Sequence, residues 1–448
     1  MTTLRLWLLL RRRTASGPRD PARLTSALAV VAFGVTTAVA LVVVGGLTAF
    51  VQRQLTGTGG DESGAYVVLA AFATLLLLVP LSTLGGAAAR LAVARRDARL
   101  ATLRLVGAST GRVATLTVLD AAVQALTGAL AGVAGYLALL PLVARLRFQG
   151  RAFEVGELWV GVPGLAAAIV AVVLVALASA TSSLGRVAIS PLGVAARTTP
   201  PGMRAARLIA LVLAAVGAAS VSSALAGAPA AVGIAVTMLL VAGGMATLNL
   251  VGPFVLGLVG RVTAARARSA ATLLAGRRIA DDPRTAWRSV GGVALATFIA
   301  GITAVAALLT PTDGGDPAAD ALAHDVGTGG LLTLAIAGLL AAVSTGVLQA
   351  GRVIDQRRTY RDLALVGTDA RTLDAARFRE TLVPLLVATG TAAGSMLLIL
   401  GPLVGVGTFA DPTVLVRYVL SVAAAAGLVL LGAAASTPVA RAVVAGAR

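Results

Sequence analysis

Ten long apolar stretches alternate along the chain with short segments that carry most of its arginines. Each stretch has about 20 residues or more, the length that a helix needs to cross the hydrocarbon core of a bilayer. The pattern therefore predicts an all-α polytopic membrane protein with about ten transmembrane helices. The predicted spans are Thr25–Phe50, Tyr66–Leu91, Val113–Leu140, Leu158–Ser183, Leu208–Ala226, Pro229–Val259, Val290–Thr310, Thr328–Leu348, Leu382–Val406 and Thr413–Ala435.

Composition agrees with this class and excludes several kinds of active site. Hydrophobic residues make up 58% of the chain and charged residues 12%, too few to cover a soluble core. The chain has no cysteine and one histidine, His324. This excludes disulfides and thiolate chemistry, and it speaks against a multi-histidine metal cluster or a Ser-His-Asp triad. We expect no enzyme activity and no cofactor in the chain itself.

The arginines predict the orientation of the spans. When both termini are placed in the cytoplasm, 32 of the 37 arginines fall in cytoplasmic segments or adjoining helix ends, and 5 fall outside. This is the bias of the positive-inside rule. Residues 1–24 have an apolar patch before their arginine run, the reverse of a signal peptide, and predict a cytoplasmic surface helix. The Arg-rich, Lys-free composition suggests a GC-rich bacterial genome, and hence the plasma membrane.

Matching motifs predict an internal repeat. Asp20 and Asp282 precede the first and seventh spans, 262 residues apart, whereas Gly107 and Gly367 follow the second and eighth, 260 residues apart. The predicted units are a first four-helix repeat at 25–197, a two-helix linker with a cytoplasmic segment at 198–281, and a second four-helix repeat at 282–448. Because every unit has an even number of spans, the two repeats must be parallel.

Each repeat contains one arginine-rich cytoplasmic segment, which predicts a short amphipathic helix beneath the membrane. In each copy two apolar side chains three residues apart share one helical face, arginines cover the rest, and a glycine ends the helix. These segments are our candidate contacts with a partner, although an ordinary positive-inside loop against lipid headgroups has the same composition. The candidate residues are Arg95, Arg96, Leu100, Leu103 and Gly107 in the first copy, and Arg357, Arg358, Tyr360, Leu363 and Gly367 in the second.

These segments resemble the FtsX/MacB-like permease family of ABC transporters. The resemblance rests on Arg95-Arg96 followed by Leu105-Val106-Gly107-Ala108-Ser109, then Asp120 and spaced glycines, with a looser second copy around Gly367. It implies a permease subunit that couples ATP hydrolysis to export or extraction of an amphiphile, peptide or lipid. It also implies two copies of a cytoplasmic ABC ATPase, which bind ATP and Mg, membrane lipids as neighbours, and no nucleic acid.

The chain departs from that family in two places. Arg99 and Thr359 stand where the family has a glutamate, and the outer loops are too short for the large extracellular domain of many relatives. The P-loop lysine is also missing, because the chain has no lysine, so ATP hydrolysis is expected from a separate subunit.

Two carboxylates inside predicted spans, Asp120 and Glu380, keep alternative functions open. Intramembrane carboxylates are costly and often functional, so a proton-coupled secondary transporter is one alternative. A structural bond to a neighbouring helix near the inner interface is the simpler interpretation. An ATP-driven signalling scaffold for a sensor or cell-wall enzyme is the third hypothesis. We expect Asp325 to lie with His324 in a solvated outer loop, with attraction of cationic amphiphiles by its aspartates as the alternative interpretation. We expect the Gly128/Gly132 and Gly390/Gly394 pairs to serve helix packing.

Overall fold

The computed structural model of the protein describes residues 21–60, 62–94, 110–188, 230–306, 317–355, 370–405, 407 and 411–435. These residues are almost wholly helical, and their one sheet is a two-stranded hairpin. The elements are α1 Pro21–Leu55, α2 Ser63–Ala94, α3 Thr110–Val143, β1 Arg147–Phe148, β2 Arg151–Ala152, α4 Val155–Leu158, α5 Gly161–Ala188, α6 Ala230–Ala265, α7 Ala270–Asp281, α8 Pro283–Ala306, α9 Pro317–Asp355, α10 Ala370–Val404 and α11 Pro412–Ala435.

Nine helical runs in the described ranges are long and apolar enough to cross a membrane. Nine of the ten predicted spans fall on these runs. The chain is therefore a multi-pass helical membrane protein by the length and composition of its helices. The fifth predicted span, Leu208–Ala226, lies outside the described residues, so the total of ten stays a prediction. Four of the helices begin at a proline, whose missing N–H and fixed φ suit the first helical position.

The described helices form two four-helix bundles. In the first bundle α1 contacts α2, α3 and α5, and in the second α8 contacts α9, α10 and α11. The bundles meet where α2 packs against α9, with further contacts of α9 to α1 and of α2 to α8. The first helix of each bundle, α1 or α8, therefore lies at its centre, and the second helices, α2 and α9, form most of the interface between the bundles.

Helix α8 carries the main core of the molecule. Its residues from Val293 to Ala300 are all buried, and they pack with side chains of α2, α6, α9 and α10. The first bundle is tightened by glycines instead. A Cβ added at Gly132 of α3 would lie 2.5 Å from the carbonyl oxygen of Gly34 in α1, so only glycine allows this close approach.

Helices α6 and α7 attach to the second bundle. Gly252 of α6 lies against the ring of Trp287 in α8, and the Trp287 Nε1–H donates to Oδ1 of Asn249 at 3.3 Å. The short helix α7 begins after Ser269, whose Oγ accepts from the Thr272 N–H and caps the helix. Helix α7 folds back on α6 and also contacts α10. The sequence predicted only a cytoplasmic segment here, and this helix was missed.

The connection between α3 and α5 holds the hairpin. Gln149 and Gly150, with φ of 57° and 74°, form its two-residue turn, a left-handed geometry typical of tight hairpins. We call this side of the molecule, where α1 ends and α2 begins, the hairpin end. Helix α9 also begins here, at Pro317, so the expected solvated loop around Asp325 is wrong. Asp325 is helical and buried, because it lies against the hairpin, while Asp320 and His324 are exposed.

Candidate functional site

A cavity of about 210 Å³ lies between the two bundles, in the half of the molecule nearer the hairpin end. Its walls come from α1 and α2 of the first bundle, α8 and α9 of the second, and the connection between α3 and α5. The lining is almost entirely aliphatic and aromatic. The polar side chains that line it are Tyr66, Thr74, Thr303, Asp325 and Thr333. Such a surface suits an apolar ligand.

Asp325 is the carboxylate in this lining, and it is 7% exposed. The Tyr66 hydroxyl donates to its Oδ2 at 2.7 Å, and the backbone N–H of Gln149 donates to the same oxygen at 2.7 Å. In the described ranges no arginine or histidine forms an ion pair with Asp325. Asp325 therefore links the second bundle to α2 and the hairpin of the first, and no cation of these ranges neutralises it directly.

Arg53 anchors the hairpin above this cavity. Its side chain is 1% exposed, and its guanidinium makes five hydrogen bonds. Two go to the Glu157 carboxylate, at 3.1 and 2.7 Å, two to the carbonyl oxygens of Phe148 and Ala152, at 3.0 Å each, and one to the Gln149 side chain, at 3.3 Å. A guanidinium has five N–H donors, so every one has an acceptor.

Aromatic rings fill the space between this polar anchor and the cavity. Phe50 stacks on Tyr66 at a centroid distance of 5.7 Å and contacts Phe148 and Phe153 edge-on at 5.6 and 5.3 Å. The Arg53 guanidinium lies 4.5 Å from the centroid of Phe153, which adds a cation–π contact. The aromatic side chains of the hairpin thus cover one end of the cavity, and the Arg53–Glu157 ion pair lies outside the cavity lining.

The two predicted intramembrane carboxylates lie at corresponding positions near the start of their spans. Asp120 is the third residue of the run Val118–Val143, and Glu380 is the third of Phe378–Gly401. The Glu380 carboxylate forms an ion pair with Arg278 of α7 at 2.7 Å, with both side chains partly buried. Arg379 donates to the hydroxyls of the α7 cap, at 2.7 Å each. Glu380 therefore helps to fasten α7 to α10.

The ten candidate coupling residues, at 95–107 and 357–367, lie outside the described residues, so their role stays a prediction. The glycine pairs differ between the bundles. Gly128 and Gly132 lie at the α1–α3 crossing, as predicted, whereas a Cβ added at Gly390 or Gly394 would meet no atom within 4 Å. The packing interpretation is thus confirmed for the first pair, and contacts within the described chain do not support it for the second.

Sequence reasoning missed the residues that build this site. The apolar pattern places Arg53 and Asp325 in outer loops, and it carries no signal for the Tyr66 hydroxyl. The Gln149-Gly150 dipeptide between Phe148 and Arg151 was a usable turn signal. Within the described ranges no group of three or more His, Cys, Asp or Glu residues is placed to hold a metal ion. Comparisons of the chain with protein-family models, curated proteins and solved structures gave no match.

Proposed function

We propose that the chain is the permease subunit of an ABC transporter, which exports or extracts an amphiphilic molecule by using ATP hydrolysed on a separate subunit. The cavity carries this proposal, because both bundles contribute its walls. A rigid-body movement of one bundle against the other would change the shape of such a cavity, as expected of a carrier whose site lies between two structural units.

The helix contacts support two parallel repeats. A two-fold axis along the membrane normal would pair α2 with α9 and would relate the α1–α9 contact to the α8–α2 contact, and both kinds of contact are present. We therefore propose two equivalent cytoplasmic docking surfaces on one chain, and hence two ATPase subunits. With both termini in the cytoplasm of a bacterial cell, the hairpin end faces outwards, as the arginine distribution favours.

The coupling test uses the leucines of the two predicted docking helices. Leu103→Asp together with Leu363→Asp would remove the apolar side chains that we expect to seat in the ATPase, at about 1.5–3 kcal/mol each when buried. The chain, expressed in a bacterial host with the ATP-binding-cassette protein that co-purifies with it, is reconstituted in liposomes. We expect the double variant to insert normally and to lose ATP hydrolysis stimulated by an amphiphile. The matched control is Leu130→Asp on the exposed face of α3, which should impair insertion instead.

Three results would overturn the proposal or the coupling contact assigned to it. Stimulated hydrolysis that is intact in the well-folded double variant would exclude the leucines as the coupling contact. Native mass spectrometry that finds no ATPase on the purified chain would exclude the ABC transporter itself. Uptake that is driven by a pH gradient alone, and is lost in Glu380→Gln, would instead establish the proton-coupled alternative.

A further inference from the structure

The cavity has an unusual balance of hydrogen-bonding groups. Each neutral hydroxyl in its lining already donates its hydrogen. Tyr66 donates to Asp325, and the three threonines donate to backbone carbonyls one turn earlier in their own helices, at 2.8 to 3.0 Å. A hydroxyl has one hydrogen to donate but can still accept. The side chains that line the cavity thus offer a ligand acceptors and no spare hydroxyl donor.

The charge of Asp325 also favours a ligand that donates hydrogen bonds. Both donors to this carboxylate use Oδ2, and no described residue donates to Oδ1. A carboxylate inside an apolar space is costly unless a cation accompanies it. Arg53 does not supply that cation, since all five of its N–H groups are bonded to other acceptors. Among the described residues Asp325 therefore has no cationic partner, which a positively charged ligand would supply.

The rest of the cavity specifies an apolar tail. An apolar cavity of about 150 Å³ accommodates benzene, so a volume of about 210 Å³ leaves room for about the first six to eight carbons of a hydrocarbon tail, and the remainder of a longer tail would extend beyond it. Gly46 of α1 lines this space, and a Cβ added there would meet no atom within 4 Å. The open side of the helix at Gly46 is thus part of the volume that a tail would fill.

We propose that the cavity binds a single-chain amphiphile with a primary ammonium head, whose ammonium pairs with Asp325 while its tail lies between the two bundles. This inference deepens the proposed function, since it names the substrate class of the same cavity. Binding by the chain alone needs no ATPase, however. The site and the transport activity can therefore be tested separately.

The test measures equilibrium binding of two radiolabelled probes to the full-length chain in phosphatidylcholine nanodiscs at pH 7, with empty nanodiscs subtracted. Dodecylamine carries the ammonium, which is charged at this pH as a lysine side chain is, and dodecanol has the same tail without the charge. We expect the wild-type chain to bind dodecylamine at least tenfold more tightly than dodecanol. Equal affinities would overturn the proposal.

Three variants locate the site. Asp325→Asn should weaken dodecylamine binding about tenfold and leave dodecanol binding unchanged, whereas Asp320→Asn, on the exposed first turn of the same helix, should change neither. Gly46→Leu should weaken both probes, because its side chain occupies the tail space, whereas Gly243→Leu, at an equally open position of α6 outside the cavity, should weaken neither. Wild-type affinity in Asp325→Asn or Gly46→Leu would place binding elsewhere.

If Asp325→Asn fails to fold, the wild-type preference and the Gly46→Leu variant decide the question together. A chain that binds dodecylamine at this site but does not transport it with its ATPase would refute the proposed function and leave the site intact. Transport that survives without any preference for the ammonium would refute the site and leave the proposed function intact.

Discussion

Substitution of Arg53 by lysine tests whether the hairpin is held in place by hydrogen-bond geometry and not by charge alone. Lysine keeps the positive charge but has three donors on one nitrogen, whereas the guanidinium presents five in a planar fork. The acceptors around Arg53 belong to Glu157, to the Gln149 side chain and to the backbone of both hairpin strands. A lysine side chain cannot reach all of them.

The expected magnitude follows from the number of lost bonds. Arg53→Lys removes at least two of five hydrogen bonds in a site where the arginine is 1% exposed. Each buried acceptor left without a donor costs about 1–3 kcal/mol, so we expect the attachment of the hairpin to weaken by about 2–6 kcal/mol. Arg151 still pairs with Glu157 at 2.8 Å, which places the effect in the lower part of that range.

Hydrogen exchange measured by mass spectrometry reports this loss locally. A loss of about 2 kcal/mol speeds exchange roughly 30-fold in amides that exchange through local opening. We expect this acceleration over the hairpin, including the Phe153 N–H that donates to Leu146, and little change in α8. Arg147→Lys, at an exposed position on the same hairpin, is the matched control. Equal exchange in the two variants would refute the hydrogen-bond argument.

Two further predictions concern helix packing. Gly132→Ala should lower the melting temperature in detergent, because its Cβ would lie 2.5 Å from the Gly34 carbonyl oxygen and overpacking costs about 1–3 kcal/mol. Gly390→Ala, which has open space around it, should not lower the melting temperature, and equal melting temperatures of the two variants would contradict the packing argument. Glu380→Gln should loosen α7 and speed hydrogen exchange of its amides, because a hydrogen bond to a charged group such as that from Arg278 contributes about 1.5–3 kcal/mol. Unchanged exchange of the α7 amides would argue against a structural role of Glu380.

The apolar pattern predicted the spans well, because a bilayer leaves the backbone few choices other than a helix. It predicted the helix ends less well. Helix α9 begins at Pro317, 11 residues before the predicted span at Thr328, and its first turns contain Asp320 and Asp325. Hydropathy detects the part of a helix that can contact lipid. It cannot show that a polar extension continues as helix against a neighbouring element.

The site could not be predicted from the sequence for a different reason. Tyr66 and Asp325 are 259 residues apart, and Arg53 and Glu157 are 104 apart. These bonds exist because helices of different bundles and the hairpin meet in space, and no local propensity or periodicity encodes such a meeting. The Arg278–Glu380 ion pair is similar, since the sequence marks Glu380 as an intramembrane carboxylate but its partner lies on a helix that hydropathy does not reveal.

Asp325 belongs both to the proposed ligand site and to the contact between the two bundles. Its Oδ2 accepts from Tyr66 and Gln149 of the first bundle, while its own helix belongs to the second. An ammonium at Oδ1 would lie beside both of these hydrogen bonds, so the proposed ligand would contact the junction of the two bundles directly. A movement that separates α2 from α9 would break the Tyr66–Asp325 hydrogen bond, and a ligand that binds better to the joined arrangement would oppose that movement.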